Sequence, residues 1–177
     1  FFFGGGWKSG SPTQFYPHCK HLASMGMVSM SADYRVFSRH NTSPRECVKD
    51  GKSAVRWIRK HAVELGIDPD RIAAGGGSAG GHVAAATGTA TGFTEDGEDQ
   101  SIGHVPNALV LFNPVLDTSP DGYAYERVRE YWQEISPMHN INAQTPPAII
   151  FLGSQDEVVP VEAGGAGGSG EALLAKR

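Results

Sequence analysis

Short apolar runs alternate with segments of helical periodicity along this chain, and that alternation restricts the fold more than any other feature of the sequence. The runs are 1–3, 27–32, 71–75, 108–113 and 148–152. They are largely apolar, as strands covered on both faces of a parallel sheet tend to be. The expected class is therefore α/β: a mostly parallel sheet with helices on both faces.

The intervening segments carry helix signals. Ser11-Pro12-Thr13-Gln14 has capping-box spacing with Pro at the first helical position, and predicts a helix over 11–24, closed by Gly26. Pro17 leaves its start open. Ser43-Pro44-Arg45-Glu46 repeats the signal. Behind it Cys47, Gly51, Ala54, Val55, Ile58, Ala62 and Leu65 form one apolar stripe, with Lys49, Lys52, Arg56, Arg59 and Lys60 largely off it. Gly66 ends that helix, and Asp68-Pro69-Asp70 turns into the next strand. A third helix, rich in small residues, is expected through His82-Val83-Ala84-Ala85-Ala86. Residues 92–104 are polar and acidic and read as a surface loop. Residues 115–142 are a cap-like excursion holding Tyr123, Tyr125, Tyr131 and Trp132, of the kind that covers a site.

One domain is expected over 1–162. The segment 164–170 reads GGAGGSG, so 163–177 reads as a linker-like tail ending in a short helical fragment. The chain opens inside a strand, with no initiator Met and no signal peptide, and its N-terminus is read as a cut. The expected fold is thus incomplete at both ends. No run approaches the roughly 20 apolar residues of a membrane span, and a net charge of −4 argues against a nucleic-acid partner. Two cysteines, Cys19 and Cys47, cannot build a disulfide framework. Compartment and homo-oligomer formation are left open.

Gly76-Gly77-Ser78-Ala79-Gly80 lies between a strand and a helix and fits G-x-S-x-G. A serine on so tight a turn is held in a strained backbone with its hydroxyl exposed at the sheet edge. The following helix aims its N-terminus at the charge that develops there. Gly75, Gly77 and Gly80 also match G-x-G-x-x-G, with Glu95 to Glu98 about where a dinucleotide fold wants an acid, but 87–93 is no apolar strand. Gly4-Gly5-Gly6-Trp7 follows the first strand, and its bare amides suit an oxyanion, with the Ala79 amide as the further donor. Asp156, in the turn after the last strand, suits an orienting acid, with Glu157 as its neighbouring alternative.

The base such a triad needs is a His after the acid. The seven histidines, His18, His21, His40, His61, His82, His104 and His139, all precede Asp156. His82, one turn behind Ser78, reads as a buried packing group, and His139 as a poor candidate by chain order. An alcohol without a base is a weak nucleophile at neutral pH, so the chain as it stands is expected to be crippled. Either a C-terminal part is missing or the tail is joined through a linker.

FFFGGGW, SADYRV, DPDRIAAGGGSAGGHVAA, LFNPVLD and FLGSQDEVVPV, in that order, resemble the hormone-sensitive-lipase-like and acetyl-esterase-like carboxylesterases of the α/β-hydrolase superfamily over about 1–162. The resemblance implies Ser78 as nucleophile, Asp156 as acid, and Gly5, Gly6 and Ala79 as oxyanion donors, with no metal or cofactor. Family members usually carry His where this chain has Phe3, and Asp33-Tyr34-Arg35 matches a supporting motif. The family's catalytic His has no counterpart here. The expected activity is hydrolysis of a small-molecule carboxylic ester through an acyl-enzyme, on small-acyl or carbohydrate-linked esters. The alternatives are an inactive fragment or pseudo-hydrolase, a serine peptidase of the same superfamily, and nucleotide binding.

Overall fold

The computed structural model describes residues 1–153 and 156. In chain order its elements are a 3₁₀ turn at Pro12–Phe15, helices α1 (Tyr16–Ser24), α2 (Phe37–His40), α3 (Pro44–Lys60) and α4 (Ala62–Leu65), strand β1 (Ala73–Gly77), helix α5 (Ala79–Thr89) and strand β2 (Ala108–Phe112). A 3₁₀ turn at Tyr125–Arg127, helix α6 (Trp132–Ile135), a 3₁₀ turn at Pro137–Asn140 and strand β3 (Ala148–Phe151) follow. The expected tail over 163–177, the boundary at 162 and Glu157 lie outside the described residues.

β1, β2 and β3 form a parallel sheet, with Gly77 opposite Phe112 and Phe112 opposite Phe151. Phe2 bridges in parallel to both Ala32 and Gly76. Its amide donates to Gly75 O at 2.8 Å, and the Ala32 amide donates to Phe1 O at 2.9 Å. Edge to edge the sheet runs Ala32, Phe2, β1, β2, β3, so the first two segments are transposed relative to chain order. The order reverses between Phe2 and β1. In doubly wound sheets ligands bind in the crevice at such a reversal, outside the carboxyl ends of the strands.

The runs expected as strands at 1–3 and 27–32 contribute only single bridging residues. In the second, Met27 and Val28 are exposed and only Ala32 reaches the ladder. The strand expected at 71–75 lies at Ala73–Gly77 instead. Arg71 is still in the preceding turn, its amide bonded to Asp68 O, and the ladder takes in Gly76 and Gly77. Glycine is a poor strand former, but only glycine fits here. A Cβ on Gly76 would lie 2.5 Å from the carbonyl oxygens of both Gly80 and Phe2.

Helices cover both faces. α5 packs on β1 through the Gly76 side, while Gly75 and Gly77 face Phe1 and Phe15 from the N-terminal segment. α3 stacks on α5 where Gly51 meets Val83 and Thr87. No helix among the described residues is long and apolar enough to cross a membrane.

The first helix begins with the 3₁₀ turn Pro12–Phe15, because Ser11 Oγ pairs with Thr13 Oγ1 and makes no cap. The expected box is complete at α3. Ser43 Oγ accepts from the Arg45 amide, and Glu46 accepts from the Ser43 amide at 2.9 Å. Ser43→Ala is expected to cost about 1 kcal/mol of stability, measured as a lower urea midpoint at unchanged slope.

Lys52 and Arg56, read as lying off the apolar stripe of α3, are buried. The 92–104 loop folds back over that side. Lys52 Nζ donates to the carbonyls of Ala90 and Gly92. Arg56 donates to Ile102 O and to the side chains of Glu98 and Gln100. Buried charges are tolerated because each finds polar partners.

Candidate active site

Ser78 closes β1 and precedes α5. Its backbone stands at φ 53°, ψ −121°, a sparsely populated region for any residue but glycine. Three hydrogen bonds hold it there. Its amide donates to Phe112 O at 3.0 Å, and its carbonyl accepts from the amides of His82 at 3.0 Å and Val115 at 3.2 Å. Strain persists only where the surroundings over-determine it, as they do here. Ser78 is half-buried, and its Oγ makes no hydrogen bond among the described residues.

The glycine turn lies directly against it. A Cβ built on Gly4 would come 3.3 Å from Ser78 Cβ and 3.0 Å from Gly77 O. The Gly4 amide is taken by Gln14 Oε1 at 2.5 Å. Gly5 (φ 134°) and Gly6 (φ 61°) then bend the chain outward in conformations that favour glycine. The Gly5 carbonyl accepts from the Lys8 and Ser9 amides, and that of Gly6 accepts from Arg127 Nη1 at 2.8 Å. The carbonyls are thus occupied, whereas the amides of Gly5, Gly6 and Ala79 have no acceptor among the described residues. Ala79, as the first residue of α5, has no intrahelical acceptor within reach.

Asp156 sits at the same edge. Asn113, the residue after β2, has a left-handed backbone (φ 42°) and its Nδ2 donates to Asp156 Oδ2. Asn113 Oδ1 accepts from the Gly153 amide at 3.2 Å, and the Asp156 amide donates to Gly153 O at 3.1 Å. Ser78, Asn113 and Asp156 therefore follow three adjacent strands.

No histidine ring hydrogen-bonds Ser78 among the described residues. His18 is exposed, against Phe1, Phe15 and Phe112. His139 bonds Ser136 Oγ within the excursion. His82 is fully buried, as expected. Burial pushes its pKa down to about 4.

One aromatic ring of the excursion lies against the glycine turn. Tyr131 is buried against Val128, Ile135, Val48 and Ala86, and Trp132 packs on that cluster. Only Tyr123 reaches the glycine turn, its ring tilted against Trp7 and its hydroxyl beside Gly6 next to Arg127. The dinucleotide pattern fails as well. Gly75 and Gly77 are strand residues, 87–93 is a helix end and loop, and Glu95 and Glu98 pair with Arg35 and Arg56. Among the described residues no three His, Cys, Asp or Glu side chains group as metal ligands.

Gln14, Asn113, Tyr123 and Arg127 were not singled out for these roles from sequence. Asn113 alone left a trace, as a polar residue ending an apolar run.

Residues 1–120 match the family described as BD-FAE. Esterase LipC of Mycobacterium tuberculosis is 30% identical over 90% of this chain, which covers 44% of LipC. The apo form of Thermogutta terrifontis esterase 2 superposes with a TM-score of 0.87 at 54% identity, over 92% of this chain and 62% of that one. The same esterase phosphonylated by sarin gives a TM-score of 0.86 at 50% identity, over 92% of this chain and 63% of that one. The chain thus spans less than half the length of LipC and under two thirds of the solved esterase.

Proposed function

The chain belongs to the BD-FAE family and has the α/β-hydrolase fold, and on that premise we propose that it is the serine-bearing part of a carboxylic ester hydrolase. Ser78 Oγ attacks the acyl carbon. The amides of Gly5, Gly6 and Ala79 hold the oxyanion, the acyl-enzyme forms as the alcohol leaves, and water releases the acid. The reaction needs a histidine base, which Asp156 would orient, to take the Ser78 proton and pass it to the departing alcohol; no histidine ring reaches Ser78 among the described residues. The observation that carries this reading is the contact between the strained Ser78 and a glycine turn whose outward amides are unused. The catalytic domain is placed over 1–162.

The substrate proposed is a small-acyl or carbohydrate-linked ester. Tyr123 and Arg127 crowd the turn beside Gly6, which supports a short, polar acyl pocket. Faster turnover of long-chain triglycerides than of acetyl esters would contradict it.

The second reading is an inactive hydrolase. Fluorophosphonate treatment separates the two, since sarin phosphonylates the Thermogutta esterase. The expected result is an adduct on the peptide containing Ser78, absent in Ser78→Ala, with slow turnover of 4-nitrophenyl acetate. No adduct at Ser78 would leave the inactive reading standing.

A further inference from the structure

The two halves of the oxyanion hole come from segments more than 70 residues apart, and one side-chain contact joins the residues that flank them. Trp7 follows Gly6 directly. His82 lies one turn beyond Ala79 on α5, and its amide donates to Ser78 O. Their rings meet edge to face, with centroids 4.9 Å apart and planes at 83°. Both are buried, Trp7 at 2% and His82 at 0% exposure.

The polar atoms of these rings are complementary. His82 Nε2 lies 2.9 Å from Ile135 O. A carbonyl only accepts, so Nε2 carries the ring proton. Burial keeps the imidazole neutral, which leaves Nδ1 a bare acceptor. Nδ1 is buried and has no donor, and Trp7 Nε1 is buried and has no acceptor, among the described residues. One ring thus lacks a donor at a buried nitrogen and the other lacks an acceptor, and the two rings are in contact. Trp7 also holds a left-handed backbone (φ 60°), unusual for a bulky residue, and its carbonyl accepts from the Phe37 amide.

We propose that Trp7 and His82 are a positioning pair: the indole N–H is given to His82 Nδ1 through one buried water, and this link fixes the spacing between the Gly5–Gly6 amides and the Ala79 amide. The proposal rests on the esterase reading and deepens it. The link ties the glycine turn to the helix behind the nucleophile, while Ile135 ties the same ring to the excursion whose Arg127 holds the turn from outside.

Long-range ¹H–¹⁵N spectra of the 177-residue chain at neutral pH test the link. Ser78 labelling rates over a range of fluorophosphonate concentrations test its role. The expected spectrum has His82 protonated on Nε2, with an Nδ1 resonance that moves toward that of a free bare nitrogen in Trp7→Phe. Both Trp7→Phe and His82→Gln should slow the maximal labelling rate at least tenfold while reagent affinity stays within about twofold. A ring protonated on Nδ1, or an Nδ1 resonance unmoved in Trp7→Phe, overturns the link, and the first result needs no variant. Labelling rates unchanged in both variants overturn the positioning role alone. A wild type that never labels overturns the esterase reading, and the positioning role with it.

Discussion

Gly80→Ala is expected to lower the stability of the chain by about 4 kcal/mol or more. A Cβ on Gly80 would fall under 3.0 Å from the carbonyl oxygens of Phe2 and Phe3. Those are main-chain atoms of the sheet segment beside β1 and cannot rotate away. Relief requires α5 to lift off the sheet, and α5 carries Ser78 at its start and buries Val83, Ala84 and Ala85. Overpacking relieved by side-chain movement costs about 1–3 kcal/mol. Where backbone must move, a cost of about 4 kcal/mol or more is expected, much of the ~5–15 kcal/mol that holds a domain together. The roughly 1 kcal/mol gained from alanine's helix propensity does not offset this. Gly92→Ala is the control. Nothing lies within 4 Å of its Cβ position, so its stability should stay within about 0.5 kcal/mol of wild type. Urea midpoints of the three proteins decide the matter. A Gly80→Ala midpoint close to wild type would mean that α5 does not sit directly on the sheet backbone.

The same close approach governs which parts of the fold were legible in the sequence. A turn that packs a helix tightly onto a strand demands small residues, and 76, 77 and 80 are all glycine, so the strand–turn–helix around Ser78 was legible. The alternation of apolar runs pointed to the parallel sheet, and Ser43-Pro44-Arg45-Glu46 marked the start of α3 to the residue. The register of β1 was not legible. Propensity argues against glycines in a strand, and contact with Gly80 and Phe2 overrides it. The burial of Lys52 and Arg56 also lay beyond pattern reading. Helical spacing assigns a charged residue to the outside, and only the returning 92–104 loop makes it inside. Ser78, Asp156 and the glycine turn are singled out by sequence because the proposed chemistry fixes their order along the chain, and their roles remain part of the proposal. Their supports are not. Gln14 on Gly4, Arg127 on Gly6 and Asn113 on Asp156 are long-range contacts of ordinary polar residues, and local sequence does not encode them.

His82 makes the chain acid-sensitive well above the range where carboxylates titrate. In an unfolded chain its pKa is near 6.5, and in the folded protein burial pushes it to about 4. Above pH 6.5 the ring is neutral in both states and contributes no pH dependence. Between about pH 6.5 and 4 the unfolded state takes up a proton that the folded state refuses, so stability falls as pH falls. At 1.36 kcal/mol per unit the loss approaches roughly 3 kcal/mol by pH 4 and then levels off. His104 is also lowered, chiefly by burial, and adds a loss of the same sign. Since His104 is common to wild type and His82→Gln, the comparison isolates His82. From pH 7 to 4.5 wild type should lose about 2–3 kcal/mol more than the variant in urea unfolding. Should the variant fail to fold, the His82 ring of the wild type is followed directly by NMR and should stay neutral at pH 5. Parallel stability curves for the two proteins, or a ring protonated at pH 5.5, would mean that His82 is not the buried neutral group linking α5 to Ile135.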